Sequence, residues 1–510
     1  MDARATARGR RLAILTAFAV SAAALPLLLA DPAVPATPSQ PEPIELKVST
    51  FNIEYGGHHV SFEKTVQAIV RGGADVVGIE EAQTHIPRLA RALGWPYFSE
   101  RLQVLSKYPL IDPPGGDGRY LFVAVAPGQV VAIMNVHLPS NPYGPFKAMQ
   151  GWTRKQIVDL ERRLRLPAIR PHLWAAKGLM AQGIPVFLVG DFNSPSWRDW
   201  TPEMVGVLPQ IRFPVKWPVS RAVERAGFVD SYRAVFPDTR RDPGFTWPAA
   251  RPDLPGWDPG KNAPHDRIDL VFAAGDATAT DSILVGERGV PFVDVSVQPW
   301  PTDHRGVVST FTVTPAEMPV LVAVEERLRD VGQDVAVRFH APGAGSERVV
   351  VVPSGGDPAS DAIEDRPTGG AADGTLVFAT AGWPAGAHEA VLVDGGGELS
   401  RIAFWLKEPG TGPVISTGKA RYAVGEPIDV SWTSSRGRRW DWIGIYKRGR
   451  DPHVAWYLLW LYTGATVEGS ATIDAYANGP WPLGAGRYSV YLLADDGYKL
   501  LARADFDIVG

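Results

Sequence analysis

Around Asp191 the chain reads FLVGDFNSPSW, Phe187 to Trp197, an apolar run that stops on a carboxylate and, two residues on, a carboxamide, Asn193. Asp and Asn open turns everywhere, so this pair alone says little. The theme recurs. STFNIEY places Asn52 and Glu54 at the exit of an apolar run, DVVGIEE delivers Glu80 and Glu81, and VAIMNVHL carries Asn135 and His137. DRIDLVF puts Asp269 inside another run, and PTDHRGVV sets Asp303 and His304 just before the next. Carboxylates and amides are oxygen ligands for hard cations, and imidazoles exchange protons near neutrality. Independent turn capping would use Gly, Pro and Ser as often and does not predict this repeated pattern.

The elements that carry these residues alternate in type from about Glu45 to Thr314. ELKVSTF, DVVGI, VVAIMNV, PVFLVG, IDLVF and VVSTFTV read as strands. SFEKTVQAIVRGG has Val66, Ile69 and Val70 at helical spacing and ends on Gly-Gly, while RKQIVDLERRLRL and LWAAKGLMAQG read as two more helices. The basic stretch ERRLRLPAIRPH is expected to be a solvated helix face. The region is an α/β domain.

FNIE, DVVGIEE, NVHL, GDFN, DRID and TDHR, in this order, resemble the endonuclease/exonuclease/phosphatase superfamily. The resemblance covers roughly residues 45–314 and implies a DNase I-like α/β sandwich of two mixed β-sheets. It also implies a Mg²⁺-dependent phosphoester hydrolase, with Mn²⁺ or Ca²⁺ as alternative ions. Such chemistry needs charge neutralisation at the phosphoryl oxygens, a positioned water and a stabilised leaving oxygen. Carried over by motif, Glu81 is the principal metal ligand, supported by Asn52 and Asp303, with Glu54 as a further candidate. Asp191 orients or deprotonates the attacking water, and Asn193 bonds the phosphate beside it. His304 pairs with Asp269, and His137 donates to another phosphoryl oxygen. Tyr143, Phe146 and Trp247 sit where family members build substrate loops, and Tyr143 and Trp247 are assigned to substrate binding, with simple packing as the alternative. His58 and His59 follow Gly56-Gly57 and either touch substrate or occupy an exposed loop.

Five hundred and ten residues exceed one ordinary core, and 45% hydrophobic with 21% charged residues describes a folded chain. Arg4, Arg8, Arg10 and Arg11 precede a charge-free stretch from Leu12 to Ala30. Residues 1–36 therefore read as a cleaved export signal and 37–44 as a Pro-rich linker, with a retained anchor as the alternative. The protein is then exported, periplasmic or extracellular. Cleavage would remove four Arg and two Asp, taking the net charge from −4 to about −6. With no cysteine, disulfides, thiolate catalysis and Cys-based zinc sites are excluded.

After Pro315 short β segments repeat. VGQDVAVRFHAPG (from Val331) matches VGEPIDVSWTSSRG (from Val424), and PAGAHEAVLVDGGGEL (from Pro384) matches GAGRYSVYLLADDGYKL (from Gly484). Two Ig-like β-sandwich modules are expected, at 318–408 and 411–510, with Ser354–Gly374 as a long mobile loop. In the second, WIGIY and the aromatics after it resemble a SKICH-type sandwich. Trp442 and Tyr446 share one strand face and Ile443 and Ile445 the other, with core packing favoured over a glycan or lipid surface flanked by Arg438, Arg439, Lys447 and Arg448.

The sequence thus points to an exported, monomeric phosphodiesterase or phosphatase acting on a small or lipid-linked phosphoester, with envelope or glycan contact through the modules. The acidic chain weighs against an extracellular nuclease, the second reading. A binding or adhesion protein with a dead hydrolase domain is the third.

Overall fold

The computed structural model describes residues 41–249, 264–475 and 479–510. The expected export signal, and residues 37–40 of the linker, lie outside the described residues. No described helix is long and apolar enough to cross a membrane.

Two seven-stranded sheets stack face to face. In the first, Ile44–Asn52 runs parallel to Val76–Glu80 and antiparallel to Gly306–Val313. In the second, Gln129–His137 runs parallel to Val186–Asp191, which pairs antiparallel with Asp269–Ala274. These central strands read as near-continuous apolar runs because both of their faces are covered. Leu46, Val48, Ile133, Val189, Val271 and Phe311 meet between the sheets. The sheets approach so closely at Gly78 that a Cβ there would lie 2.6 Å from the Asn135 side-chain oxygen.

Helices cover the outer faces. Phe62–Gly72 begins where the Ser61 hydroxyl accepts from the Lys64 amide and ends on Gly73 at φ 73°, satisfying both helix termini. Its Ala68 and Ile69 pack against Phe51, Val77 and Ile79. On the opposite face the expected pair of helices is one, Arg154–Ala181, continuous through Pro167 and Pro171. Isolated prolines interrupt helices; here Ile169, Ala176 and Leu179 are buried against the second sheet, and that packing overrides the local preference. The solvated face expected for ERRLRL is also only partly so. Arg165 is fully buried, bonded to Glu161 at 2.5 Å and to the carbonyl oxygens of Ser140 and Pro142 at 2.7 and 2.9 Å.

A second buried ion network holds the sheet edge. Arg267 donates to Asp230 at 2.9 and 2.7 Å and to Asp199 at 3.2 Å. Removing one partner of a buried pair leaves an uncompensated charge, so Arg267→Ala is expected to lower unfolding free energy by about 3–5 kcal/mol in urea titration.

Both C-terminal modules pair a three-stranded with a five-stranded sheet, as the internal repeat predicts for Ig-like sandwiches. In each, a short strand crosses to run parallel with the last long strand, at Leu328–Asp330 beside Gly397–Lys407 and at Arg421–Ala423 beside Leu500–Val509. The segment expected to be a mobile loop, 354–374, contains the strand Glu364–Pro367 and the start of Asp373–Phe378. Glu364–Pro367 is an edge strand, and its charged, exposed residues carry no alternating apolar pattern to reveal it.

The second module does not stand apart from the α/β domain as a separate body. Arg438 pairs with Glu100, Arg439 donates to the Gly118 carbonyl at 3.0 Å, and Arg101 donates to the carbonyls of Gly437 and Ala465 at 3.1 and 2.8 Å. Lys447 bonds the Tyr488 hydroxyl at 2.7 Å and Arg448 bonds Asp507 at 2.6 Å. Trp442 and Tyr446 are buried among Tyr457, Tyr491 and Tyr498, while Ile443 and Ile445 fill the sandwich core. The cations and rings weighed as a glycan or lipid surface are therefore engaged within the protein.

Candidate active site

Register alone assembles half the site. Asp191 ends its strand opposite His137 on one side and Asp269 on the other, and Asn52 stands opposite Glu80 in the facing sheet. Gly190 must precede Asp191 because a Cβ there, at φ 143°, would lie 1.9 Å from the Val136 carbonyl oxygen.

The side chains converge on Asp191 Oδ2. Asn52 Nδ2 reaches it at 3.2 Å and Asn193 Nδ2 at 3.3 Å. Nε2 of His137 and Nε2 of His304 each stand 3.7 Å away. Each imidazole is held from behind by its own carboxylate. His304 Nδ1 meets Asp269 Oδ2 at 2.9 Å, and His137 Nδ1 meets Asp496 Oδ2 at 2.9 Å. An imidazole bonded this way keeps its Nδ1 proton on the carboxylate side and turns Nε2 to the open side.

Electrostatics follow from that packing. Burial alone would pull His304 down, but Asp269, Asp303 and Asp191 outweigh it and hold the imidazole well above its ordinary range. His137 is likewise drawn down by burial, yet its hydrogen bond to Asp496 and the charges of Asp496, Asp191 and Glu81 push it up to about 10. Burial raises Asp191 to about 6 against the pull of His304, placing a base near neutrality.

The other expected residues divide into those at the mouth and those that brace it. Glu81, at φ 58°, turns its half-buried carboxylate toward Asn52, whose Nδ2 lies 3.2 Å from Oε1. Asp303 Oδ1 stands 3.8 Å from His304 Nε2, and its Oδ2 accepts from Trp247 Nε1 at 3.1 Å. Asn193 differs from expectation, because its amide already donates to the Leu138 carbonyl at 3.0 Å and to Asp191. It fixes Asp191, and its backbone N–H adds a 2.8 Å bond to Oδ1. Tyr143 also differs. Its ring is buried edge-on to Trp247 with centroids 5.5 Å apart, and its hydroxyl donates to Asp266 at 3.0 Å, so it supports Trp247, which stays part-exposed. Asn135 braces the carbonyls of Ile79 and Leu102 and stays out of the site. Glu80 turns into the core, where Thr50 donates to it at 3.0 Å; burial, then Asp269 and Asp191, hold its carboxyl well above the carboxylate range. His58 and His59 are exposed, the first edge-on to His85 and the second against Tyr55.

Among the described residues no lysine or arginine bonds Glu81, Asp191, Asp269 or Asp303. Carboxylates gathered without such partners suit a hard divalent cation, whose oxygen ligands they supply. Two groups qualify. Asp191, Asp269 and His304 place one ligand atom each within 4.8 Å of one another, but His304 and Asp269 are already bonded together. Glu81 and Asp303 remain accessible at the rim; Asn52 would join them once its amide turned Oδ1 away from the Glu54 N–H.

Asp496 belongs to the last sandwich, and motif order could not have found it. One signal existed in the repeat: ADDGY in the second module replaces DGGGE in the first, setting Asp496 where the first copy has Gly396. Its neighbour Asp495 accepts from Gln103 Nε2 at 2.6 Å and from the Thr84 N–H at 2.8 Å. Burial pushes Asp495 up to about 7 from an ordinary 3.8, against the pull of Arg438. The folded chain therefore keeps a proton that the unfolded chain releases, so stability falls as pH rises from 3.8 to about 7 and this contribution is level above. Asp495→Asn is expected to lack that decline, its melting temperature gaining on the wild type between about pH 4 and about pH 8.

Two stacked mixed sheets whose strand ends deliver two carboxylate-backed imidazoles to one aspartate define a DNase I-like α/β sandwich. Residues 49–304 match the Endonuclease/Exonuclease/phosphatase family, and the chain belongs to that family. Its members are typically phosphoester hydrolases. An uncharacterized protein of Caenorhabditis elegans is 28% identical over 295 residues, 52% of this chain and 91% of that one. Among solved structures, an endonuclease/exonuclease/phosphatase family protein from Bacteroides thetaiotaomicron is 14% identical, covering 54% of this chain and 96% of that one, with a TM-score of 0.31. Humanized D. rerio TDP2 is 14% identical, covering 53% and 99%, with a TM-score of 0.26. Tandem Ig domains of titin are 15% identical, covering 37% and 96%, with a TM-score of 0.19. Likenesses at these scores add no argument to the family match.

Proposed function

We propose that this protein is a divalent-metal-dependent phosphoester hydrolase, a phosphodiesterase or phosphatase acting on a small or lipid-linked ester. The observation that carries this reading is the convergence of both imidazoles on Asp191 Oδ2, each backed by a carboxylate. A water bonded to Asp191 gives up its proton to Oδ2 as its oxygen attacks phosphorus. The bond from phosphorus to the leaving oxygen breaks on the opposite side. The Nε2–H groups of His304 and His137 donate to non-bridging oxygens, where negative charge accumulates in the transition state. Asn193 keeps Asp191 from rotating away through its side-chain and backbone N–H groups.

Glu81, Asp303 and Asn52 would hold the cation, Mg²⁺ by the preference of oxygen ligands, with Mn²⁺ or Ca²⁺ as alternatives. Bound there, it supplies charge neutralisation to the phosphoryl and leaving oxygens. Export rests on the leader read from Arg4 to Ala30, and a monomeric state is proposed with it.

The test is hydrolysis of bis- and mono-p-nitrophenyl phosphate by the purified chain, with Mg²⁺ and with EDTA. Metal-dependent release of nitrophenol is expected, and the preferred ester separates phosphodiesterase from phosphatase. Cleavage of DNA alone would move the assignment to a nuclease, and no turnover of esters, DNA or phospholipids would overturn it.

A further inference from the structure

The turn Ala494–Tyr498 joins the last two long strands of the second sandwich and reaches back to the catalytic domain. Asp495 and Asp496 both sit in the left-handed region, at φ 54° and 58°, a conformation that costs non-glycine residues energy. Contacts hold it there. Asp495 binds Thr84 and Gln103, the Asp496 N–H donates to the Trp440 carbonyl at 2.9 Å, and Tyr462 donates to Asp496 Oδ1 at 2.6 Å. Gly497 abuts Gln83, two residues from Glu81, and a Cβ on it would lie 3.3 Å from that side chain. The corresponding turn of the first module has glycine in place of Asp496, and its Asp394 accepts from the Gly396 and Gly397 N–H groups of the same turn.

We propose that the second β-sandwich completes the active site, with Asp496 as the positioning residue for His137. The proposal rests on the phosphoesterase reading of that site. Asp496 Oδ2 holds Nδ1 and is itself fixed by Tyr462 through Oδ1, leaving Nε2 of His137 aimed at the reacting centre. His304 obtains the same service from Asp269 within its own domain. An enzyme that takes one orienting carboxylate from a neighbouring module reaches full activity only while that module is docked.

The experiment is a double-mutant cycle on the full chain with bis-p-nitrophenyl phosphate and Mg²⁺, using Asp496→Asn, His137→Ala and the pair. Asp496→Asn is expected to lower kcat about 10- to 100-fold, with KM and melting temperature little changed, as for groups that orient a reacting residue. Added to His137→Ala it should cost less than about 2-fold, because nothing remains to orient. Tyr462→Phe, which leaves the carboxylate in place, should cost less than Asp496→Asn. Unchanged kcat in Asp496→Asn, or the same loss in both backgrounds, overturns the proposal. If the wild type turns over no ester, it is the phosphoesterase reading that falls. The pairing is then read by the downfield Nδ1 proton of His137 in NMR: loss in Asp496→Asn upholds it, and absence from the wild type overturns it.

Discussion

Replacing His304 by alanine is expected to lower kcat for a metal-supported phosphodiester by about 10³-fold, within the range for removal of a positioned proton donor. The imidazole is buried, its Nδ1 is bonded to Asp269 at 2.9 Å and its Nε2 faces Asp191. Truncation therefore removes the donor at the transition state and also leaves Asp269 buried without its partner. The second effect costs stability, about 1–3 kcal/mol for an unsatisfied buried group. Asp269→Asn separates the two. It keeps the shape and a hydrogen bond while removing the charge that holds the imidazole up, and it should reduce kcat by about 10- to 100-fold. Steady-state kinetics with melting curves for both variants provide the check. A His304→Ala enzyme within a few fold of wild type would remove His304 from the chemistry.

Glu81→Gln is expected to abolish most metal-supported turnover, about 10²- to 10³-fold at fixed Mg²⁺, with part recovered at high metal concentration. The carboxylate is half-buried, has no lysine or arginine partner among the described residues, and shares Asn52 with Asp191. Its neutral isostere keeps the size and one oxygen but gives up the charge that attracts a dication. Titration calorimetry of Mg²⁺ into both proteins checks the binding step apart from catalysis. Equal affinity in the two would transfer the metal to the Asp191–Asp269–His304 group.

Much of this was legible in the linear chain because β-strands have a short reach. Residues at one edge of paired strands lie side by side, so His137, Asp191 and Asp269 gather wherever the strands pair as the apolar runs dictate, and Asn52 meets them across the stacked sheets. The repeat between residues 331–399 and 424–500 likewise fixed the likeness of the two modules. Local reading failed where a tertiary contact overrode it. Pro167 and Pro171 stay inside one helix because the sheet beneath rewards continuity, and Tyr143 is buried because Asp266 offers its hydroxyl a partner.

The division of labour inside motifs was legible through the family resemblance and not through composition or spacing. In DRID, Asp266 and Arg267 hold the scaffold while Asp269 alone faces the site; in GIEE, Glu80 turns to the core and Glu81 to the rim. Residue type and spacing determined the family, the strand ends that carry the chemistry and the identities of both histidines. Tertiary structure decided which carboxylate backs His137. Asp269 stands 35 residues from His304; register sets it beside Asp191, and the stacking of the two sheets brings His304 to it. Asp496 stands 359 residues from His137 on a different sandwich, and only the docking of that sandwich brings the two within 2.9 Å.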